Sequence, residues 1–261
     1  MSAYPKIAVV TPTKNRREHL AFQVEQMKRQ TYPLEHITWV ITDSSTSAKL
    51  SWEEILADPE ISPSVLYKRL PADTLLGKSR NISLDLACKL DVSYILFMDD
   101  DDIICADRFR LTVEAMEEYP DFEVAGCSRI LVFLLRGESL VEIGSFTDLS
   151  GGAIQHALEP TLAVTPKYAA THFFEDTDPR GLLRPFLADF TTPILALRAE
   201  DVCIIIGHDR STFDKYQLVY KKAQFNVIRH EAGYGLERLW DEWGLTLRMR
   251  ELFMAAHGDS M

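Results

Sequence analysis

An apolar run that ends in four consecutive carboxylates constrains this chain more than any other feature. Residues 93–98 read Ser-Tyr-Ile-Leu-Phe-Met, and Asp99, Asp100, Asp101 and Asp102 follow without a break. Acid runs are usually solvated surface. Here a strand apolar enough to be interior delivers the anions straight to a strand end. Crowding them there is repulsive and raises some of their pKa values. A bound divalent cation removes that cost, and hard oxygen donors suit Mg²⁺ or Mn²⁺ rather than zinc. Mg²⁺ is typically held by one or two carboxylates together with substrate phosphates. In an extended strand end, Asp99 and Asp101 are expected on one side and Asp100 and Asp102 on the other.

The rest of the first half alternates strand and helix patterns. Residues 6–11 are a β-branched run closed by Pro12, followed by the polar loop Thr11-Pro12-Thr13-Lys14-Asn15-Arg16. Residues 18–30 have helical spacing, with Leu20, Val24 and Met27 on one side. Strands are expected over 36–42 and 65–69, and helices over 52–56 and 77–90, the last with Ile82, Leu86 and Leu90 inward. Such alternation implies a mostly parallel sheet covered on both faces. Ligands of these sheets bind beyond the carboxyl ends of the strands. The polar groups there are Thr11 to Arg16, Asp43 to Ser45, and the aspartates, and all three sets should converge on one crevice.

The second half is less regular. Strands are expected over 122–133, 140–143, 161–164 and 202–206, residues 194–197 are apolar, and a turn at Gly151-Gly152 and a short helix or turn over 168–174 are expected. Residues from 212 onward read as mostly helical, with Trp240 and Trp243 packing those helices onto the body. One domain over 1–261 is the simplest organisation: a nucleotide-binding half (1–110), a second half (111–215) and a helical tail (216–261).

Composition narrows the partners. The net charge is −11 and no Lys/Arg block offsets it, which disfavours nucleic acid. An anionic ligand therefore needs a local cation cluster or a metal. Cys88, Cys105, Cys127 and Cys203 form no CxxC pair and read as buried free thiols of a reducing compartment. The N-terminus is too short and polar for a signal peptide, and no apolar run is long enough to span a bilayer. A cytoplasmic location is expected.

The chain resembles nucleotide-sugar glycosyltransferases of the GT-A fold, close to glycosyltransferase family 2. The apolar strand ending in Asp99-x-Asp101-Asp102 matches the family's Asp-x-Asp pattern, with Asp100 in the variable place. The opening loop resembles the family's T-P-T-x-N-R. Residues 41–46, Ile-Thr-Asp-Ser-Ser-Thr, resemble V-D-D-G-S-T. Residues 77–81, Gly-Lys-Ser-Arg-Asn, resemble G-x-x-x-A-R-N, one residue shorter and with Ser79 for Ala. Together these cover roughly the first 110 residues in the family's order. The layout is also similar to small glycosyltransferases encoded by large DNA viruses. The resemblance implies an α/β, Rossmann-like GT-A fold with a C-terminal helical tail. It also implies a nucleotide-sugar donor, UDP-linked, and a glycan or other hydroxyl acceptor. Its nucleotide-binding residues would be Thr11, Pro12, Thr13, Asn15, Arg16, Asp43 (against uracil), Ser45, Lys78, Arg80, Asp99 and Asp100. Mn²⁺ or Mg²⁺ would sit on Asp101 and Asp102, with His208 as a third ligand.

An inverting transferase also needs a carboxylate base for the acceptor hydroxyl. Glu175 and Asp176 form the obvious acidic pair, Asp189 is a second candidate and Asp178 a third, but Leu182-Leu183-Arg184-Pro185 stands where relatives carry their acids. The base and the stereochemical outcome therefore stay open. Arg210, Ser211 and Thr212 are candidate phosphate contacts, and His156 a candidate for the acceptor side. Two other readings compete. A nucleotidyltransferase would also want clustered aspartates, but no Gly-rich phosphate loop is present. An inactive transferase-like binding module would need no base.

Overall fold

The computed structural model describes residues 4–46, 64–144, 153–154, 157–177, 183–208 and 226–257. The expected helix at 52–56, the turn at Gly151-Gly152, and His156, Asp178, Arg210, Ser211 and Thr212 lie outside the described residues.

The β-branched runs near the N-terminus become strands because their side chains bury on both faces. β1 (Ile7–Thr13), β2 (Ile37–Asp43), β3 (Ser64–Arg69) and β4 (Tyr94–Phe97) are parallel, in the spatial order β3-β2-β1-β4. Helices α1 (Arg17–Lys28) and α2 (Leu76–Cys88) cover this sheet. β1 runs through Pro12 rather than stopping before it.

After β4 the chain passes through the aspartates to β5 (Ile103–Ile104), α3 (Arg108–Glu118), β6 (Val124–Gly126), β7 (Arg129–Leu134), β8 (Ser139–Gly144) and β9 (Ala153–Ile154). β10 (Ala163–Val164), α4 (Pro166–Ala169), α5 (Leu183–Phe186), β11 (Ile194–Ala196) and β12 (Cys203–Gly207) follow. Last come β13 (Asn226–Glu231), α6 (Leu236–Glu242) and α7 (Leu247–His257). α4 starts where sequence rules place a helix: Thr165 caps it by accepting from Tyr168 N at 3.2 Å, and Pro166 opens it.

β10, β6, β11 and β9 extend the first sheet to eight strands, with antiparallel joins at β10 and β9. The central sheet flanked by helices is the expected α/β architecture. A second sheet, in the order β13-β8-β7-β12-β5, was not expected. The run 122–133 is therefore two strands in different sheets, broken at Cys127 and Ser128. The tail also departs from its reading: β13 pairs antiparallel with β8 before the two C-terminal helices begin. Hydrogen bonding to an available sheet edge overrides the helical spacing there.

α2 turns a different face inward from the one its apolar residues suggest. Ser79, Arg80, Ser83, Leu84 and Ala87 are buried, while Ile82, Leu86 and Leu90 are only half-buried. Small side chains let the helix approach the sheet closely. Thr42 Oγ1 lies 2.9 Å from Ser79 Oγ and 2.7 Å from Ser83 Oγ. α7 packs on α1 through Phe253 and Phe22, whose rings meet edge to face at 5.6 Å. Trp240 is buried in the same cluster, with Trp243 against it.

Candidate active site

Register places the aspartates. Val10 pairs with Phe97 in the β1–β4 ladder, so counting three residues on sets Asp100 beside Thr13. Thr13 Oγ1 donates to Asp100 Oδ2 at 2.6 Å. The carboxylates do not alternate as in an extended strand. They form the turn that carries the chain from β4 in the first sheet to β5 in the second. That turn gathers Asp99, Asp101 and Asp102, one carboxylate oxygen of each lying within 4.8 Å of the others. Asp100 points instead to β1 and Arg16.

Arg16 is the cation of the site. Its Nη1 donates to Asp100 Oδ1 at 2.6 Å and to Asp101 Oδ2 at 3.0 Å. Burial works against the Arg16 charge, but Asp100, Asp101 and Asp99 more than offset it and raise its pKa. Burial also pushes Asp100 upward, while Arg16 and Thr13 pull it down. Two amides of α1 hold the turn's backbone. Gln23 Nε2 and Gln26 Nε2 each donate to the Asp102 carbonyl at 2.8 Å, and Gln26 Oε1 accepts from Ile104 N at 2.7 Å. Asp102 Oδ1 accepts from Ile206 N at 3.0 Å, tying the turn to β12. The residue after β12 is His208, whose Nε2 lies 3.1 Å from Asp101 Oδ2.

The second strand end is a tight polar knot. Asp43 is fully buried and accepts from Ser45 N at 2.7 Å, from the Ser45 hydroxyl, and from Tyr67 OH and Arg69 Nη1 at 2.8 Å each. Those four donors use the acceptor sites of a carboxylate. Burial, then the bond to Asp43, holds the Tyr67 pKa up at about 12. Asn15 has a left-handed backbone (φ 57) and joins this knot to the β1 loop. Its N–H donates to Ser45 Oγ at 2.6 Å, and its Oδ1 accepts from Thr46 N at 2.9 Å. Pro12, Thr13, Asn15, Arg16, Ser79 and Asp100 line a cavity of about 340 Å³ between the strand ends and the start of α2.

With the strand ends joined, the sequence match has a structural basis. Residues 8–137 match the profile of glycosyl transferase family 2. The chain carries a family 2 glycosyltransferase domain. Its fold is that of solved GT-A structures. The 1–349 fragment of S. aureus TarS in complex with UDP-GlcNAc has a TM-score of 0.56 at 17% identity, covering 79% of this chain and 60% of that one. The same fragment in complex with UDP aligns with a TM-score of 0.56 over 77% of this chain. Mannosyltransferase PcManGT from Pyrobaculum calidifontis, in complex with GDP-Man and Mn²⁺, has a TM-score of 0.52 at 14% identity, covering 81% of this chain and 59% of that one. The chain spans 36% of the longer TarS chain. No curated protein sequence matches it.

Within this family 2 domain, Asp99, Asp101 and Asp102 fit a hard divalent cation: three carboxylate oxygens in reach of one another, with Arg16 against Asp101. Arg80 is a second cation at the aspartates, and unlike the half-buried Arg16 it is buried. Its guanidinium pairs with Asp99 and with Glu159, each at 3.7 Å, and lies 5.2 Å from the Phe174 ring centre. Arg108 was not singled out by sequence. It is fully buried and donates to the carbonyls of Phe97 and Pro160, behind β4. Burial lowers its pKa.

Some expected residues stand elsewhere. Thr11 is an interior residue, not a cleft residue: its hydroxyl accepts from the Trp39 indole at 2.9 Å, because alternate residues of β1 face away from the crevice. Lys78 is exposed on α2. Asp189 is exposed and accepts from Arg184 Nε at 2.8 Å. Glu175 and Asp176 are exposed on the rim of a second cavity of about 570 Å³, also lined by Asn81, Phe173 and Phe174. Asn81 fastens that rim to α2. Its Nδ2 donates to Phe174 O at 2.9 Å and Asp176 Oδ1 at 2.7 Å, and its Oδ1 accepts from Phe174 N at 2.8 Å. Sequence reasoning quoted Asn81 only as part of a motif; its place beside Arg80 was the available signal. His19 and His257 were missed outright. Both are buried next to His208, and burial followed by the neighbouring imidazoles holds the His257 pKa well below the usual histidine range. No helix among the described residues is long and apolar enough to cross a membrane.

Proposed function

We propose that this chain transfers a hexosyl or pentosyl group from a nucleoside diphosphate sugar to a hydroxyl acceptor, with Mn²⁺ or Mg²⁺ as its cofactor. The observation that carries the reading is the β4–β5 turn, which gathers Asp99, Asp101 and Asp102 beside Arg16 at the mouth of a parallel sheet. The family 2 match and the nucleotide-sugar complexes of the structural neighbours support it.

Asp99, Asp101 and Asp102 would hold the metal, and His208 reaches this set through Asp101. The ion supplies positive charge against the diphosphate leaving group. Arg16 and Arg80 add fixed cations on either side of the aspartates, and a preorganised charge costs nothing to reorient during the reaction. The nucleoside would enter the 340 Å³ cavity. There Thr13, Asn15 and the Asp43–Ser45 knot line up at adjacent strand ends. Uracil is the base favoured, by the motif at Asp43 and by the UDP complexes of TarS. To bind it, Asp43 would exchange one of its present donors, Tyr67 or Arg69, for the ring N–H.

The acceptor, a glycan or another hydroxyl compound, would occupy the 570 Å³ cavity. Glu175 and Asp176 line it, and either would take the proton of an acceptor hydroxyl. Asp176 is held by Asn81, whereas Glu175 accepts only from the hydroxyl of Thr177 among the bonds described for it. Glu175 is therefore the base we favour. Asp189, turned outward to Arg184, is the weakest of the three candidates. The four cysteines are all free, in keeping with a reducing, cytoplasmic setting.

Thermal unfolding with UDP, with and without Mn²⁺, tests the reading. Metal-dependent stabilisation is expected, about 2.7 kcal/mol when ligand exceeds Kd a hundredfold. Asp101→Ala should remove most of it. Equal stabilisation without metal, or full stabilisation in Asp101→Ala, would overturn the assignment. Turnover should release a nucleoside diphosphate; release of pyrophosphate would point to nucleotidyl transfer instead.

A further inference from the structure

Three histidines from distant parts of the chain meet beside the carboxylates. His19 comes from the first turn of α1, His208 from the residue after β12, and His257 from the end of α7. Their ring centres are 4.6 Å apart for His19 and His257, 4.8 Å for His208 and His257, and 5.6 Å for His19 and His208. One ring nitrogen of each lies within 4.8 Å of the other two. All three side chains are at most 3% exposed.

That arrangement is costly for a plain core. A neutral imidazole carries one N–H and one lone pair, and each needs a partner when buried. Both ring nitrogens of His257 are buried with no hydrogen-bond partner among the described residues. Protonating the group would not help, since it would set like charges in contact away from water. A cation bound to one nitrogen of His257 would give that buried lone pair a partner, and His19 and His208 each hold a ring nitrogen within reach of the same ion.

We propose that His19, His208 and His257 form a second metal site, made of imidazole donors, for a divalent cation of the Zn²⁺ type. Donor chemistry separates it from the carboxylate set. Imidazole nitrogen suits Zn²⁺, Co²⁺ and Ni²⁺, whereas the aspartate oxygens suit Mg²⁺ and Mn²⁺. Three histidines are a donor set that zinc accepts, with a fourth position left over. Asp101 lies against His208 at 3.1 Å and links the two sites, as fourth ligand or as the carboxylate that orients the ring. Every ligand is buried, so the ion's role is structural. It ties α7 to α1 and to the end of β12, beside the aspartate turn. The ligands share no short sequence spacing, so the sequence carries no motif for them.

The test uses the full-length protein, stripped of metal and titrated with Co²⁺, and does not depend on the transferase reading. One equivalent should produce the intense visible bands of four-coordinate Co²⁺, and the thermal midpoint should rise in step with them. His19→Ala and His257→Ala should each abolish the bands, and Asp99→Asn should keep them. The pale spectrum of six-coordinate, oxygen-ligated Co²⁺ in the unmodified protein would overturn the proposal. So would bands that survive both histidine variants. Should those variants not fold, the unmodified protein loaded with Cu²⁺ decides by electron paramagnetic resonance. Nitrogen couplings from three imidazoles support the site, and an oxygen-only signal overturns it. The Mn²⁺-dependent shift with UDP is read separately. If it persists without Co²⁺ bands, the imidazole site alone fails; if the bands appear without it, the transferase reading alone fails.

Discussion

Arg16 and Asp100 form a pair in which each partner makes the other's burial tolerable. Asp100 is almost fully buried, and its two oxygens meet Arg16 and Thr13 at 2.6 Å each. Removing the cation leaves a nearly buried carboxylate without its charge partner. Arg16→Met should therefore cost about 3–5 kcal/mol, measured by urea unfolding. In an Asp100→Asn background the same change should cost much less, and a double-mutant cycle with no coupling would refute the pairing. Asn81 acts at the same scale on the acceptor rim. Asn81→Ala removes three hydrogen bonds and leaves both backbone groups of Phe174 without that side chain, so a loss of about 1–3 kcal/mol is expected. Its specific signature would be a raised KM for the acceptor with donor hydrolysis unchanged. An unaltered acceptor KM would mean that Asn81 has no part in shaping that cavity.

At the scale of elements, the first sheet depends on a close approach at its centre. A Cβ on Gly126 in β6 would lie 2.7 Å from Ala157 Cβ and 3.1 Å from Leu162 Cδ2. Both neighbours are buried and cannot swing away. Gly126→Ala should overpack the sheet and cost about 1–3 kcal/mol in thermal unfolding. Gly144 in β8 is a useful contrast. Its added Cβ would meet Ile228 Cδ1 at 2.6 Å, but that side chain is half exposed and its end can rotate. Gly144→Ala should be clearly milder, and equal penalties at the two glycines would contradict this account. The strand ends and helix faces show how local signals translate. Leu20, Val24 and Met27 were legible as the buried face of α1 because apolar spacing and burial coincide there. α2 was misread because small polar residues, not the large apolar ones, let it lie close to β2.

Across the whole molecule, α7 closes the structure onto its own N-terminal helix. Phe253 is completely buried against Phe22, so the last helix and the first form one cluster. Phe253→Ala should cost about 3–5 kcal/mol, read from chemical denaturation. A loss below 1 kcal/mol would mean that α7 is not docked as described. Two sheets meeting at the β4–β5 turn also explain why the site lies where it does. The first sheet brings Asp100 to Thr13 and Arg16, and the second ties Asp102 to Ile206 of β12 and sets His208, the residue after that strand, against Asp101.

What the sequence determined by itself were the features written in neighbouring residues. The parallel strands β1 to β4, the helix after β1, and the aspartate run at a strand's carboxyl end all follow from local spacing and burial preference. So does the family resemblance over roughly the first 110 residues, since its motifs are short and ordered along the chain. Only the tertiary structure decided which groups meet across long separations. The second sheet, the strand β13, the turn that unites Asp99 with Asp101 and Asp102, and the contact of His19, His208 and His257 depend on which edges and faces find each other. Those pairings are selected by the closure of the whole core, and no window of sequence contains both partners.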